Sequence, residues 1–162
     1  SHLSRNRNYV CSEALKGDYD GVLFLDSDIG IADENFIDKL IKTAYQLDAK
    51  IVGGAYRMKK PTEETIYIAG EKLDNGKYEN IRKTITAPRL VNSVGTGIML
   101  IFKEVLYKVP DPWFTIVDKP NLEVMPEDFE FCRKAEEAGF KIALDPTFTT
   151  THYGHFGWQH QP

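Results

Sequence analysis

The chain has 162 residues, 42% hydrophobic and 27% charged, with a formal net charge of −4. That length and balance suit one globular domain with a buried core. They argue against a binder of nucleic-acid phosphates, which would be basic, and no run of about 18 apolar residues offers a membrane span. The two cysteines, Cys11 and Cys132, lie outside any CxxC pair. They read as buried thiols in a reducing compartment rather than zinc ligands. A cytoplasmic location is expected, including the periphery of a membrane.

In chain order, residues 4–17 pattern as a helix that Gly17 ends. Residues 20–26, Asp-Gly-Val-Leu-Phe-Leu-Asp, form a short apolar run closing on an acid, the pattern of a strand buried on both faces in a parallel sheet. A helix should start near Asp33, a plausible N-cap, because Phe36, Ile37, Leu40, Ile41, Ala44 and Leu47 recur at helical spacing. Residues 50–56 read as a second buried strand, and this alternation points to an α/β sheet. The basic stretch Arg57–Lys60 reads as a solvated loop.

The middle of the chain changes character. Short alternating stretches flank Asn75-Gly76, a hairpin signal. Residues 91–94 and 97–103 read as strands, 104–108 as a short helix broken by Pro110-Asp111-Pro112, and 115–126 as irregular loop. A helix over 127–138 is capped by Gly139. Strand-like pieces at 141–144 and 147–151 precede a tail rich in His, Gly and aromatics.

Four motifs could carry chemistry. Asp26-Ser27-Asp28 ends a strand, where open α/β sheets bind ligands. Two carboxylates so spaced can reach one hard cation such as Mg²⁺ or Mn²⁺, or simply form an acidic turn. An EF-hand is excluded, because Ile37 stands where the bidentate Glu belongs and Gly30 falls one position early. Pro126-Glu127-Asp128 opens a helix, whose N-terminus favours a carboxylate ionised near neutral pH, able to take a proton from a hydroxyl or merely to cap the helix. His152 in Thr-His-Tyr-Gly-His is a candidate metal ligand, with His155 and His160 as neighbours competing for that role. Val94-Gly95-Thr96-Gly97 permits close backbone approach to a ligand, or is a plain turn.

Taken in order, these segments resemble the GT-A glycosyltransferases, especially family-2-like members. Arg7-Asn8 is similar to a segment that precedes the donor strand, and Gly21–Asp28 to the strand ending in the DxD motif. Val94–Leu100 resembles the "GtG" strand, and Pro112-Trp113-Phe114 a common family segment. Glu127-Asp128 with Phe131-Cys132 and Gly139–Ile142 resembles the "ED…G" helix, and His152-Tyr153-Gly154 the closing "HxG". The resemblance implies a three-layer α/β fold with a central mixed sheet in a single domain over 1–162. Its donor half would be about 1–60 and its acceptor half about 61–162. Family members begin with a strand-helix unit that holds the nucleotide base, so the fold is expected to be N-terminally incomplete.

Roles follow from the same resemblance. Asp28 would bind one divalent cation, Mn²⁺ or Mg²⁺, on the diphosphate of a UDP- or GDP-sugar. Asp26 would contact the donor ribose or reach the metal through water, and His152 would complete the metal shell. Arg7 would contribute to donor binding. Asp128 would be the base that deprotonates the acceptor hydroxyl, on a carbohydrate or another molecule, in an inverting reaction. Glu127, Trp113 and Gly97 would shape the acceptor pocket. Two other readings fit parts of the pattern. Residues 23–28 also match the nucleophile strand of a haloacid-dehalogenase-like phosphatase, with Asp26 attacking phosphate and Asp28 as acid/base, although Ile29-Gly30 replaces the usual Gly-Thr. A GT-A remnant that binds sugars without turnover is the other.

Overall fold

A computed structural model describes residues 2–60, 64–118, 124–154 and 157–162. Helix α1 (His2–Lys16) leads into β1 (Gly21–Leu25) and, after a turn, the short β2 (Ile29–Ile31). Helix α2 (Phe36–Leu47) and β3 (Ile51–Gly54) follow, then β4 (Ala69–Lys72), β5 (Tyr78–Asn80), β6 (Arg89–Val91), β7 (Ser93–Val94) and β8 (Ile98–Phe102). Next come α3 (Lys103–Lys108), β9 (Val117–Asp118), β10 (Val124–Met125), α4 (Glu127–Glu137), β11 (Ile142–Asp145), β12 (Thr150–Tyr153) and β13 (Gly157–His160). No helix among the described residues is long and apolar enough to cross a membrane.

The central sheet has the order β1-β8-β3-β11-β6. It is mixed: β3 and β11 run parallel, while β1–β8, β8–β3 and β11–β6 are antiparallel. Side chains that alternate along these strands feed two separate cores, as the period of two requires. On one face Ile51, Met99, Ile101, Ile142 and Leu144 pack with Cys11 and Ala14 of α1, Val105 of α3 and Phe131 and Cys132 of α4. On the other, Val52, Ile98 and Ala143 pack with Leu40 and Ala44 of α2 and with Phe148. The mixed α/β architecture expected from the sequence is therefore present, with helices on both faces of the sheet. Both cysteines are free and buried, and burial pushes the Cys11 thiol up to about 12.

Several local expectations are corrected. β1 is not buried on both faces of a parallel sheet. It pairs antiparallel with β8 at a sheet edge, only Val22 is fully buried, and Leu25 is exposed. Helix α2 starts at Phe36 rather than Asp33. The Asp33 carboxylate instead accepts from the Asn35 N–H at 2.8 Å, forming the turn that leads into the helix. The Asn75-Gly76 hairpin joins β4 to β5, but not as a two-residue turn. The Gly76 N–H reaches Leu73 O at 2.8 Å, and Gly76 alone has positive φ, 78°, the pattern of a longer connection with a left-handed glycine. The stretch read as loop over 115–126 carries the β9–β10 pair. Within the tail, the described residues include β12 and β13, which extend β2 into a small three-stranded sheet. Gly139, at φ 89°, ends α4 as expected.

Candidate active site

Chain direction gathers the candidate residues at one end of the central sheet. β1 and β3 finish there, and β8, antiparallel to both, begins there. Asp26 directly follows β1, Tyr56 and Arg57 follow β3, and Gly95-Thr96-Gly97 precedes β8. The backbone fixes the arrangement: the Asp26 N–H donates to Gly97 O at 3.0 Å, and the Ile29 N–H returns to Asp26 O at 3.1 Å, turning the chain into β2. β2 pairs antiparallel with β12, and His152 lies opposite Ile29. A further bond from Tyr153 N–H to Asp28 O, 2.8 Å, ties the acidic turn to the strand that bears the histidine.

That pairing brings His152 Nε2 to 3.6 Å from Asp28 Oδ2. His152 is buried, and its Nδ1 lies 2.8 Å from the carbonyl oxygen of Arg57. A carbonyl can only accept, so Nδ1 carries the proton when the ring is neutral, and the Nε2 lone pair faces the carboxylate. Two electron-rich atoms turned toward each other at this separation form a donor set suited to a cation between them, and the Nδ1–carbonyl bond is the outer contact that orients such a histidine. Lys59 supplies a positive charge there: its ammonium hydrogen-bonds Asp28 Oδ2. That bond is the main reason the Asp28 carboxyl is held below the usual carboxylate range. Lys59 was hidden in the basic stretch read as a solvated loop. Of the other two histidines, His155 lies outside the described residues. His160 is buried, with Nε2 donating to Pro146 O at 2.8 Å and Nδ1 left to accept from the Tyr67 hydroxyl at 3.2 Å, so it serves the fold.

The companion acid, Asp26, is turned elsewhere. Its Oδ1 lies 3.6 Å from Arg7 Nη2, while Arg7 Nη1 donates to Glu127 Oε1 at 2.5 Å. Among the described residues no three His, Cys, Asp or Glu side chains converge as a metal cluster. Arg7 is buried and paired with both carboxylates, joining the end of β1 to the start of α4. Its neighbour Asn8 ties α1 to the segment before β9, donating to Phe114 O and accepting from Phe114 N–H, both at 2.8 Å.

Asp128 sits beside Glu127 in the first turn of α4. Burial dominates its surroundings and pushes its carboxyl up to about 6, with Glu127 adding to the rise and the Phe129 N–H and Arg7 opposing it. The helix N-terminus therefore does not hold this acid at an ordinary carboxylate value, because loss of water outweighs it. A group titrating near 6 is poised for proton transfer at neutral pH.

Tyr56, which the sequence reading left inside a strand, ties these parts together. Its hydroxyl accepts from the Gly97 N–H at 3.0 Å, and its ring packs edge-on against His152, with centroids 5.3 Å apart. A Cβ on Gly95 or Gly97 would come within 2.2 Å or 2.6 Å of the Tyr56 hydroxyl. The room these glycines leave on the Cβ side is thus filled by Tyr56. Trp113 is buried in the core, and its indole N–H donates to Leu106 O at 3.1 Å. A strand-terminal aromatic followed by a basic run was the available signal for Tyr56 and Lys59, but nothing local distinguishes it from ordinary core and loop.

No family model matches the chain, and no curated protein matches it by sequence. Among solved structures, the chain is similar to the crystal structure of A197 from STIV, with a TM-score of 0.69 and 21% identity over 95% of this chain and 69% of that one. The two share an overall α/β fold.

Proposed function

We propose that this chain is a metal-dependent glycosyltransferase of GT-A type, moving a sugar from a nucleoside-diphosphate donor to an acceptor hydroxyl with inversion. The observation that carries the reading is the meeting of Asp28 Oδ2 and His152 Nε2 at 3.6 Å, with His152 Nδ1 engaged by Arg57 O. Residues from opposite ends of the chain form the donor set that the family resemblance implies, and their chemistry fits Mn²⁺ or Mg²⁺. A divalent cation bound there would neutralise negative charge gathering on the departing nucleoside diphosphate.

The remaining work falls to the chain's own groups. Asp128, raised by burial to about 6, is the base for the acceptor hydroxyl. Proton removal of this kind contributes roughly 10²–10⁴-fold in rate. Arg7 positions Asp26 and Glu127, and Tyr56 holds Gly97 and the His152 ring. Asp26 retains 43% of its side-chain exposure and is available to a donor hydroxyl. The UDP- or GDP-sugar preference and the acceptor class remain parts of the same proposal.

Turnover tests it. With UDP- and GDP-sugars and Mn²⁺, the protein should release nucleoside diphosphate, and Asp128→Asn should lower that rate by about 10²-fold or more while keeping donor binding. Hydrolysis of a simple aryl phosphate, abolished by Asp26→Asn, would establish the phosphatase reading instead. Sugar binding without either turnover would establish the non-catalytic one.

A further inference from the structure

Lys59 is placed where its charge matters. Its ammonium occupies Asp28 Oδ2, the same oxygen that faces His152 Nε2 at 3.6 Å. The backbone around it is anchored. Met58 N–H donates to Ile66 O at 2.7 Å, Lys60 N–H to Met58 O at 2.9 Å, and Arg57 bridges to Tyr67. The Lys59 side chain is 32% exposed. Its four-carbon stem can therefore swing while its attachment point stays at the mouth of the site. An ammonium and a divalent cation repel one another strongly if both crowd a single carboxylate oxygen. Binding of one at Oδ2 must weaken the other.

We propose that Lys59 is the resident counter-ion of Asp28, that it yields Oδ2 to the divalent cation, and that it then pairs with the anionic diphosphate of the donor. This rests on the reading of Asp28 and His152 as a cation site. The lysine neutralises the Asp28 carboxylate in the absence of metal, then supplies a charge-assisted hydrogen bond to phosphate. One side chain thereby couples the two binding events: the cation frees it, and the diphosphate gives it a new partner.

Two titrations test the inference, each on wild type, Lys59→Gln and Asp28→Asn, with circular dichroism confirming that all three are folded. In the first, free Mn²⁺ is followed by electron paramagnetic resonance with no nucleotide present. Removing the competing ammonium should tighten Mn²⁺ binding about two- to fivefold in Lys59→Gln, the range expected for a partly exposed ion pair. In the second, UDP, GDP and CDP are titrated calorimetrically at saturating Mn²⁺. The nucleotide that binds wild type should bind Lys59→Gln about tenfold more weakly, as loss of a hydrogen bond to a charged group predicts. Unchanged or weaker Mn²⁺ binding in Lys59→Gln overturns the inference, and so does unchanged nucleotide affinity, while Mn²⁺ binding lost in Asp28→Asn would leave the cation site standing. If neither wild type nor Lys59→Gln binds Mn²⁺, the cation site itself falls and takes the inference with it.

Discussion

Arg7→Met removes the guanidinium that joins the ends of β1 and α4 without removing much side-chain volume. Arg7 is only 6% exposed at its side chain and Glu127 14%, so their 2.5 Å contact is a largely buried ion pair, whereas Asp26, at 43%, is half in water and contributes little. Breaking a buried pair by deleting one partner leaves the other charge unpaired, at a cost of about 3–5 kcal/mol. Loss of the Arg7 contact with the Phe114 ring, 6.0 Å from its centroid, adds a smaller amount. For a chain of 162 residues this corresponds to a fall in Tm of about 9–15 °C. The informative assay is a double-mutant cycle by urea unfolding. Glu127→Gln on its own should also destabilise, because Arg7 is then left without its buried counter-ion. The Arg7→Met/Glu127→Gln double variant should recover at least about 1 kcal/mol relative to the sum of the singles, because neither charge then remains buried alone. A cost below about 1 kcal/mol for Arg7→Met, or singles that simply add, would refute the reasoning that this pair fastens α1 to the start of α4.

Asp128 makes a pH-dependent prediction. Its folded-state value of about 6 exceeds the ordinary 3.8, so its protonated form favours the fold. That contribution is complete below pH 3.8 and is lost as pH rises through 6. Urea unfolding should therefore find Asp128→Asn more stable than wild type at pH 8, by up to about 3 kcal/mol, with the gap closing toward pH 4. The acidic limb of the wild-type rate profile should fall near pH 6 and be absent from the residual activity of Asp128→Asn. Gly97→Ala should cost about 1–3 kcal/mol in thermal or urea unfolding, because its Cβ would lie 2.6 Å from the Tyr56 hydroxyl. Asp145, buried at the end of β11, accepts from the Thr43 hydroxyl and from the Thr147 N–H and hydroxyl at 2.7–2.8 Å. Asp145→Ala should cost about 3 kcal/mol by leaving those donors buried and unpaired, again read by urea unfolding.

Periodicity made the helices legible. The spacing of Phe36, Leu40 and Ala44 placed α2, and Gly139 marked the end of α4. The apolar run ending in Asp26 placed β1, but its pairing was not legible. An apolar pentapeptide looks alike whether its partner runs parallel or antiparallel, and the edge position of β1 is decided by β8, far along the chain. The site was legible as a set of residue types, and only partly as a geometry. Asp28 and His152 were singled out, yet their apposition depends on β2 pairing with β12, which no local pattern announces. Arg7, Trp113 and Gly97 belong to recognisable segments, but the contacts that occupy them come from Glu127, Leu106 and Tyr56. Lys59 shows the same gap from the other side, since a lysine among basic neighbours reads as solvated until the fold brings a carboxylate to it.

The most direct test of the central claim is calorimetric titration of UDP, GDP and CDP, each with and without Mn²⁺, on wild type, Asp28→Asn and His152→Ala. The account predicts that one nucleotide binds only with Mn²⁺ and that either substitution abolishes that binding while the protein stays folded. Nucleotide binding that is indifferent to Mn²⁺ and survives in both variants would contradict it.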